Sequence, residues 1–180
     1  VRITSEIGTC PWNEQHRLVR IGLKAKEIPT ENLPASNLIF LIDVSGSMYG
    51  PERLDLVKSS LKLLVNNLRD KDKVAIVVYS GAAGEKLAST PGSDKQKIRE
   101  AIDELEAGGS TAGGEGIKLA YKIARKNFIT GGNNRIILCT DGDFNVGVSS
   151  DQELEKLIEQ KRKSGVFLTV LGYGMGNYKD

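Results

Sequence analysis

Four short, almost continuous apolar runs divide the chain and restrict the folds open to it. They occupy residues 38–42, 74–79, 136–139 and 166–171. Apolar runs of this length, without alternation, are typical of strands that are buried on both faces. The intervening segments carry apolar residues three and four positions apart, which indicates amphipathic helices. We therefore predict an α/β fold in which a doubly wound, mostly parallel sheet is flanked by helices.

Four segments carry the helical pattern, and one further segment is predicted to form a strand. The helical stripes are Leu54, Val57, Leu61, Leu64 and Leu68; Ile98, Ala101, Ile102 and Leu105; Ile117, Ala120, Tyr121, Ala124 and Phe128; and Leu154, Leu157 and Ile158, with Lys161 at the edge. Residues 85–90 follow a Gly-Ala-Ala-Gly turn at 81–84, which favours a hairpin back onto 74–79. This segment would be an antiparallel edge strand.

The first 35 residues have a different pattern. Apolar residues alternate with polar ones over residues 1–7 and again over 19–23, which predicts two strands. Pro29 and Pro34 bracket a polar connection to the first buried run. We predict an N-terminal β-strand appendage with its linker over residues 1–35, and an α/β domain over 36–180.

Composition excludes several classes of function. Twenty-five basic and 23 acidic residues leave a net charge of +2, and no basic run suggests binding to nucleic acid. No apolar stretch approaches the ~20 residues that a membrane-spanning helix needs. His16 is the single histidine, so a site built from several histidines is impossible, and we interpret His16 as structural. Cys139 lies in an apolar run, where a buried, inert thiol is expected.

A polar motif follows the first buried run directly. Asp43-Val44-Ser45-Gly46-Ser47 would form the loop between that strand and a helix, and Pro51 is tolerated near the start of such a helix. Ligands of doubly wound sheets bind at the carboxyl ends of strands, where the strand order reverses. The alternate side chains Asp43, Ser45 and Ser47 can converge there on one point.

Two other segments are expected at the same edge of the sheet. Thr111 precedes a helix that we place from about Gly113, and Asp141 follows the run that ends near Thr140. With Asp43, Ser45 and Ser47 they supply three hydroxyls and two carboxylates. An oxygen-only site selects hard cations, namely Mg²⁺, Mn²⁺ or Ca²⁺. If the hydroxyls bind the ion directly, the site stays poor in negative charge, and a partner's Asp or Glu could fill a free coordination position.

The motif Asp43-Val44-Ser45-Gly46-Ser47, followed by Thr111 and Asp141, resembles the metal-ion-dependent adhesion site of the von Willebrand factor type A (VWA) family. The resemblance covers roughly residues 36–174. It implies a Rossmann-like fold and a role in adhesion or protein binding. Ser45, Ser47 and Thr111 would be direct metal ligands, and Asp43 and Asp141 would act directly or through water.

A second, less specific resemblance concerns the segment before the domain. Pro11-Trp12-Asn13, His16-Arg17-Leu18 and 20–24 are similar to the lead-in of bacterial members predicted to sit in the cell envelope. It implies a periplasmic or surface-exposed location. In the family, a further helix, strand and closing helix follow the run at 166–171, so we expect the last strand and helix to be missing from this chain.

Four further residues are candidates for the site, and the motif residues also have alternative interpretations. Tyr49, Glu115, Asp143 and Asn145 are candidates for the partner-binding rim of the metal site. Each motif residue also has an ordinary interpretation: Thr111 could cap its helix, and the others could be loop polar residues. Residues 141–145 mimic an EF-hand start, but Val146 replaces the required glycine and Gln152 the bidentate glutamate.

We predict a non-enzymatic module that binds a protein ligand through a divalent cation. Phosphate-loop and Gly-x-Ser-x-Gly motifs are both absent from the sequence. A metal-dependent hydrolase of phosphate or acyl esters is the alternative, although it lacks a visible general base. A structural module with a vestigial site is a third possibility.

Overall fold

The structure is a computed structural model that describes residues 2–24, 30–109, 113–142 and 151–174. The chain forms two compact units, Val1–Leu33 and Pro34–Asp180. The strands are β1 (Arg2–Thr9), β2 (Arg17–Lys24), β3 (Ser36–Asp43), β4 (Lys73–Tyr79), β5 (Ala83–Pro91), β6 (Asn133–Thr140) and β7 (Val166–Gly172). The helices are α1 (Leu54–Asn66), α2 (Lys95–Asp103), α3 (Gly113–Lys126) and α4 (Asp151–Arg162), with short 3-10 helices at Thr30–Asn32 and Gly46–Met48.

The first unit contains an antiparallel hairpin of β1 and β2. Ile3 pairs with Leu23 and Ile7 with Val19, so the alternating apolar residues of both strands share one face. These side chains are exposed. The two predicted strands are present, and each extends slightly beyond its apolar alternation.

The second unit has a five-stranded sheet in the order β5-β4-β3-β6-β7. β3 pairs in parallel with both β4 and β6, β6 pairs in parallel with β7, and β5 is the antiparallel edge strand. α1 and α2 cover one face of the sheet and α3 the other, where the partly buried Ile158 of α4 also packs. The prediction of a doubly wound, mostly parallel α/β sheet is confirmed.

Helices α1, α2 and α3 each end before the last residue of their apolar stripe. Leu68 and Leu105 lie just beyond α1 and α2 and are still 7% and 2% exposed, because the chain follows the same core as it leaves each helix. Phe128, beyond α3, is 42% exposed. Periodicity therefore located the helices but not their last residues. At the start of α2, the Asp94 side chain accepts from the Lys97 N–H and caps the helix.

Close packing of α3 on the sheet depends on a glycine. A Cβ atom on Gly116 would lie 3.0 Å from the Cβ of Tyr79 and 3.2 Å from a methyl carbon of Leu41. The missing side chain therefore lets the first turns of α3 approach β3 and β4.

Among the described residues, no helix is both long enough and apolar enough to cross a membrane.

Buried polar groups fasten the amino edge of the sheet. Asn37 donates to the Ala124 carbonyl at 3.0 Å and to the Asn134 amide oxygen at 3.1 Å. Asn134 in turn exchanges hydrogen bonds with the backbone of Ile129 at 2.9 Å each. Both asparagines are 1% exposed, so these bonds offset the cost of burying their amides.

Asp72 forms a second anchor at this edge. Its carboxylate accepts from the Ser36 N–H at 2.8 Å and from the backbone and guanidinium of Arg69 at 2.7–2.9 Å. Burial alone would raise the pKa of Asp72, but the hydrogen bonds and charge of Arg69, with the Ser36 N–H, outweigh it and lower the pKa. The ionised form is therefore the one that the fold stabilises.

Replacing Asp72 with Asn should destabilise the domain in a pH-dependent way. At pH 7 we expect the free energy of unfolding to fall by about 2–3 kcal/mol, as for a lost hydrogen bond to a charged group. Because the folded-state pKa is lowered, the carboxylate contributes fully above its unfolded pKa of about 4, and the contribution disappears as pH falls through the folded value. Urea unfolding from pH 7 to pH 3 measures both effects.

Asp70→Asn is the matched control, since Asp70 is exposed and two positions away. Its free energy of unfolding should stay within about 0.5 kcal/mol of wild type. A stability difference between Asp72→Asn and wild type that did not shrink at acid pH would contradict the prediction.

Candidate metal centre

The candidate site lies where the strand order reverses. From β3 the chain moves to β4 and β5 on one side, and later returns to β6 on the other. Ile42 pairs with Cys139, so Asp43 and Thr140, the next residues of β3 and β6, are neighbours at the carboxyl edge. Such a switch point leaves a crevice between neighbouring loops.

The Asp43–Ser47 loop folds around the side chains of its own motif. The Asp43 carboxylate accepts from the Ser45 N–H at 2.9 Å, which fixes the first turn of the loop. The Ser45 and Ser47 hydroxyl oxygens are 3.0 Å apart. Asp43 is fully buried, Ser45 is 2% exposed and Ser47 is half-buried, so the motif places its oxygens at the end of the core with Ser47 nearest to solvent.

Asp141 completes the described part of the site from β6. Its side chain is 1% exposed, and its Oδ2 atom lies 3.6 Å from a guanidinium nitrogen of Arg53. The same Arg53 nitrogen donates to the Ser47 carbonyl. Thr140 connects the two strands, because its hydroxyl accepts from the Gly142 N–H at 3.2 Å and lies 3.5 Å from the Asp43 carboxylate.

Backbone hydrogen bonds tie a third loop to the motif. The Gly108 N–H donates to the Val44 carbonyl at 2.7 Å, and the Gly46 N–H donates to the Gly109 carbonyl at 3.1 Å. Gly109 has a φ of +81°, and a Cβ atom there would lie 2.5 Å from the Ser80 hydroxyl. Glycine is thus required both by conformation and by space.

Burial and like charge act on the carboxyl group of Asp43. Burial raises its pKa, the hydrogen bonds from Ser45 oppose this rise, and the charge of Asp141 adds to it, so the net pKa lies above the usual value. Burial likewise raises the pKa of Tyr79 far above its usual range, with the Asp43 charge adding to the effect. A bound cation would stabilise the charged form of Asp43 and offset its burial.

Four of the five predicted metal ligands lie together in the structure, and three other predicted site residues lie outside the described ranges. Asp43, Ser45, Ser47 and Asp141 meet at the carboxyl edge, whereas Thr111, Asp143 and Asn145 lie outside the described residues. Tyr49 is 83% exposed beyond Ser47, and Glu115 is exposed in the first turn of α3.

Arg53 and Thr140 were missed by the sequence analysis. Arg53 did leave a signal, because a cation just before a helix faces the positive end of the helix dipole and therefore needs a compensating partner. Asp141 and the Ser47 carbonyl are those partners. Thr140 left no signal, since it reads simply as the last residue of a strand.

The described residues fit a divalent cation that is bound through oxygen atoms. In the described ranges no three His, Cys, Asp or Glu side chains form a metal-binding group, so a metal here depends on hydroxyl oxygens. The Ser45 and Ser47 hydroxyl oxygens are 3.0 Å apart, within hydrogen-bonding distance of each other, so both can lie beside one ion. Oxygen donors of this kind suit hard cations.

Comparison with known proteins identifies the family of this domain. The family model of the von Willebrand factor type A domain matches residues 37–180. The chain belongs to this family. Domains of this family typically mediate metal-dependent protein–protein interaction.

Three similar proteins place the VWA domain in context. The chain is 52% identical over 175 residues to the uncharacterized protein YfbK of Escherichia coli K12. The aligned region covers 97% of this chain and 30% of YfbK. The chain thus spans less than a third of that relative. An aerotolerance-related membrane protein of Bacteroides fragilis has a similar structure, with 25% identity and a TM-score of 0.60 over 78% of this chain and 68% of that one.

The third similar protein has been solved with a metal ion bound. Proximal thread matrix protein 1 from the mussel byssus, solved with zinc in its metal-ion-dependent adhesion site, is 27% identical, with a TM-score of 0.60 over 78% of this chain and 36% of that one. This likeness supports divalent metal binding at the same kind of site.

Replacing Gly109 with Ala should strain the loop that is tied to Gly46. An L-residue at a φ of +81°, with its Cβ pressed against Ser80, should lower the free energy of unfolding by about 1–2 kcal/mol. Gly84→Ala is the control, because its Cβ would meet open space. Thermal and urea unfolding of both variants measure the difference, and equal stabilities would contradict the assigned role of Gly109.

Proposed function

We propose that the VWA domain is a protein-binding module that acts through a divalent cation. The ion, Mg²⁺ with Mn²⁺ or Ca²⁺ as alternatives, is held by Asp43, Ser45, Ser47, Thr111 and Asp141. A carboxylate from an Asp or Glu of the partner protein fills the remaining coordination position. The arrangement of Asp43, Ser45 and Ser47 at the switch point is the observation that carries the proposal.

The charge balance supports capture of an anion. Asp43 and Asp141 together carry two negative charges, and the Arg53 guanidinium lies 3.6 Å from one of these carboxylates. A divalent cation added to this set leaves the site with an excess positive charge. An acidic side chain of a partner neutralises that excess better than water does.

The loops around the ion determine which partner protein binds in this proposal. Tyr49 and Glu115 are exposed and can contact a partner directly. Asp143 and Asn145 belong to the same proposed rim by their place in the sequence. We also propose a bacterial cell-envelope location, supported by the lead-in resemblance and by the structural likeness to a membrane protein.

Replacing Asp43 should strongly weaken metal binding. Asp43→Ala and the milder Asp43→Asn remove a buried charge from the site, and we expect at least a tenfold loss of Mg²⁺ affinity because the ion loses one of two carboxylates. Calorimetric titration of chelator-stripped protein with Mg²⁺, Mn²⁺ and Ca²⁺ measures the affinities.

Asp70→Asn is the control for Mg²⁺ binding, because it removes an exposed charge away from the site. It should bind Mg²⁺ like wild type. If the two Asp43 variants kept wild-type Mg²⁺ affinity and a folded circular dichroism spectrum, the metal assignment would be wrong.

The open coordination position can be probed with a minimal acidic ligand. In Mg²⁺, acetyl-Gly-Glu-Gly-amide should shift the NMR signals of residues around Ser45 and Ser47, whereas the matching glutamine peptide should not, since only the carboxylate can bind the ion. EDTA should remove the effect. Metal-dependent turnover of simple phosphate or acyl esters would instead favour the hydrolase alternative.

A further inference from the structure

A groove opens directly beside the candidate metal centre. It has a volume of about 520 Å³ and runs between the start of α1 and the segment that follows α2. Its lining includes Tyr49, Leu54, Asp55, Lys58, Leu105 and Glu106. We call it the α1 groove.

Both walls of the α1 groove continue into loops of the metal centre. Tyr49 stands two residues after Ser47, on one wall. Glu106, on the other wall, stands three residues before Gly109, whose carbonyl accepts from Gly46 within the metal-binding motif. A peptide whose acidic residue reached the ion would therefore pass the mouth of the groove within a few residues, at about 3.3 Å per residue.

The groove has an apolar base and an aromatic rim. Leu54 and Leu105 lie at this base and are 4% and 2% exposed, so each offers only a narrow apolar surface to the groove. The Tyr49 ring is 83% exposed and free to stack on a flat group. These features suit a long side chain with an apolar stem and a planar head.

The charged lining favours a cationic head. Asp55 and Glu106 are exposed, and no ion pair of either is found within the described ranges. Among the described residues of the lining, Lys58 is the single cation, and its ammonium donates to the Asp103 carbonyl at 3.1 Å. The two carboxylates therefore leave the groove with a net negative charge.

We propose that the α1 groove binds an arginine side chain of the partner, located two to four residues from the partner's metal-bound Asp or Glu. This rests on the proposed function for the identity of the partner segment. The guanidinium stacks on Tyr49 and donates to Asp55 and Glu106, and its methylene stem covers Leu54 and Leu105. Arginine suits the groove better than lysine, because a planar guanidinium can stack and form forked hydrogen bonds together.

An NMR titration tests the groove without reference to any metal. N-acetyl-arginine-methylamide, added to the protein in EDTA, should shift the amide signals of Leu54, Asp55, Lys58 and Glu106 in a saturable way. The citrulline analogue has nearly the same shape without the charge and should bind at least fivefold more weakly. The double variant Asp55→Asn/Glu106→Gln should weaken arginine binding by at least fivefold.

Asp70→Asn/Glu85→Gln is the matched control, since it removes the same charge from two exposed carboxylates outside the groove. It should bind the arginine probe like wild type. Equal shifts with citrulline, unchanged affinity in the groove variant, or no saturable shift at the groove would each overturn the proposal.

A second arm separates this proposal from the proposed function. Acetyl-Arg-Gly-Gly-Glu-amide should bind at least tenfold more tightly in Mg²⁺ than in EDTA, because it engages the groove and the ion together. If Mg²⁺ gave no gain while the arginine probe still bound the groove, the groove would stand and the metal-bridged function would fail.

Discussion

The parallel pairing of β3 with both β4 and β6 is the constraint on which the site depends. In-register parallel strands end at one edge, and the reversal of strand order beside β3 keeps neighbouring loops apart there. The last residue of β3 is Asp43, and β6 ends immediately before Asp141. The same pairing that buries the core thus brings two carboxylates from distant parts of the sequence to one point.

Buried polar side chains have different surroundings at the two edges of the sheet. At the amino edge, Asn37, Asn134 and Asp72 have partners supplied by the protein itself, and the pKa of Asp72 is lowered accordingly. At the carboxyl edge, burial dominates and the pKa of Asp43 is raised. One edge is arranged for stability, while the other holds a carboxylate whose charged form would gain from a cation.

The surroundings of the metal centre give the proposed function its chemical detail. Arg53 lies 3.6 Å from the Asp141 carboxylate and compensates part of its negative charge, so a divalent ion bound there would keep charge for a partner's carboxylate. The adjoining α1 groove carries the opposite sign through Asp55 and Glu106. An acidic group beside a basic one is thus the ligand pattern that we propose for this surface.

The sequence by itself determined the fold class, and it predicted a set of oxygen donors for the site. Continuous apolar runs and helical stripes specify strands and helices because their periods differ, and Asp43, Ser45, Ser47 and Asp141 stand out as oxygen donors after strands. Helix ends were less predictable, since Leu68 and Leu105 continue the stripe beyond the last helical turn. Only the tertiary structure decided the strand order, the pairing of Arg53 with Asp141, the role of Thr140 and the groove beside the site. These depend on contacts between residues far apart in the chain, and local periodicity carries no information about which distant segments meet.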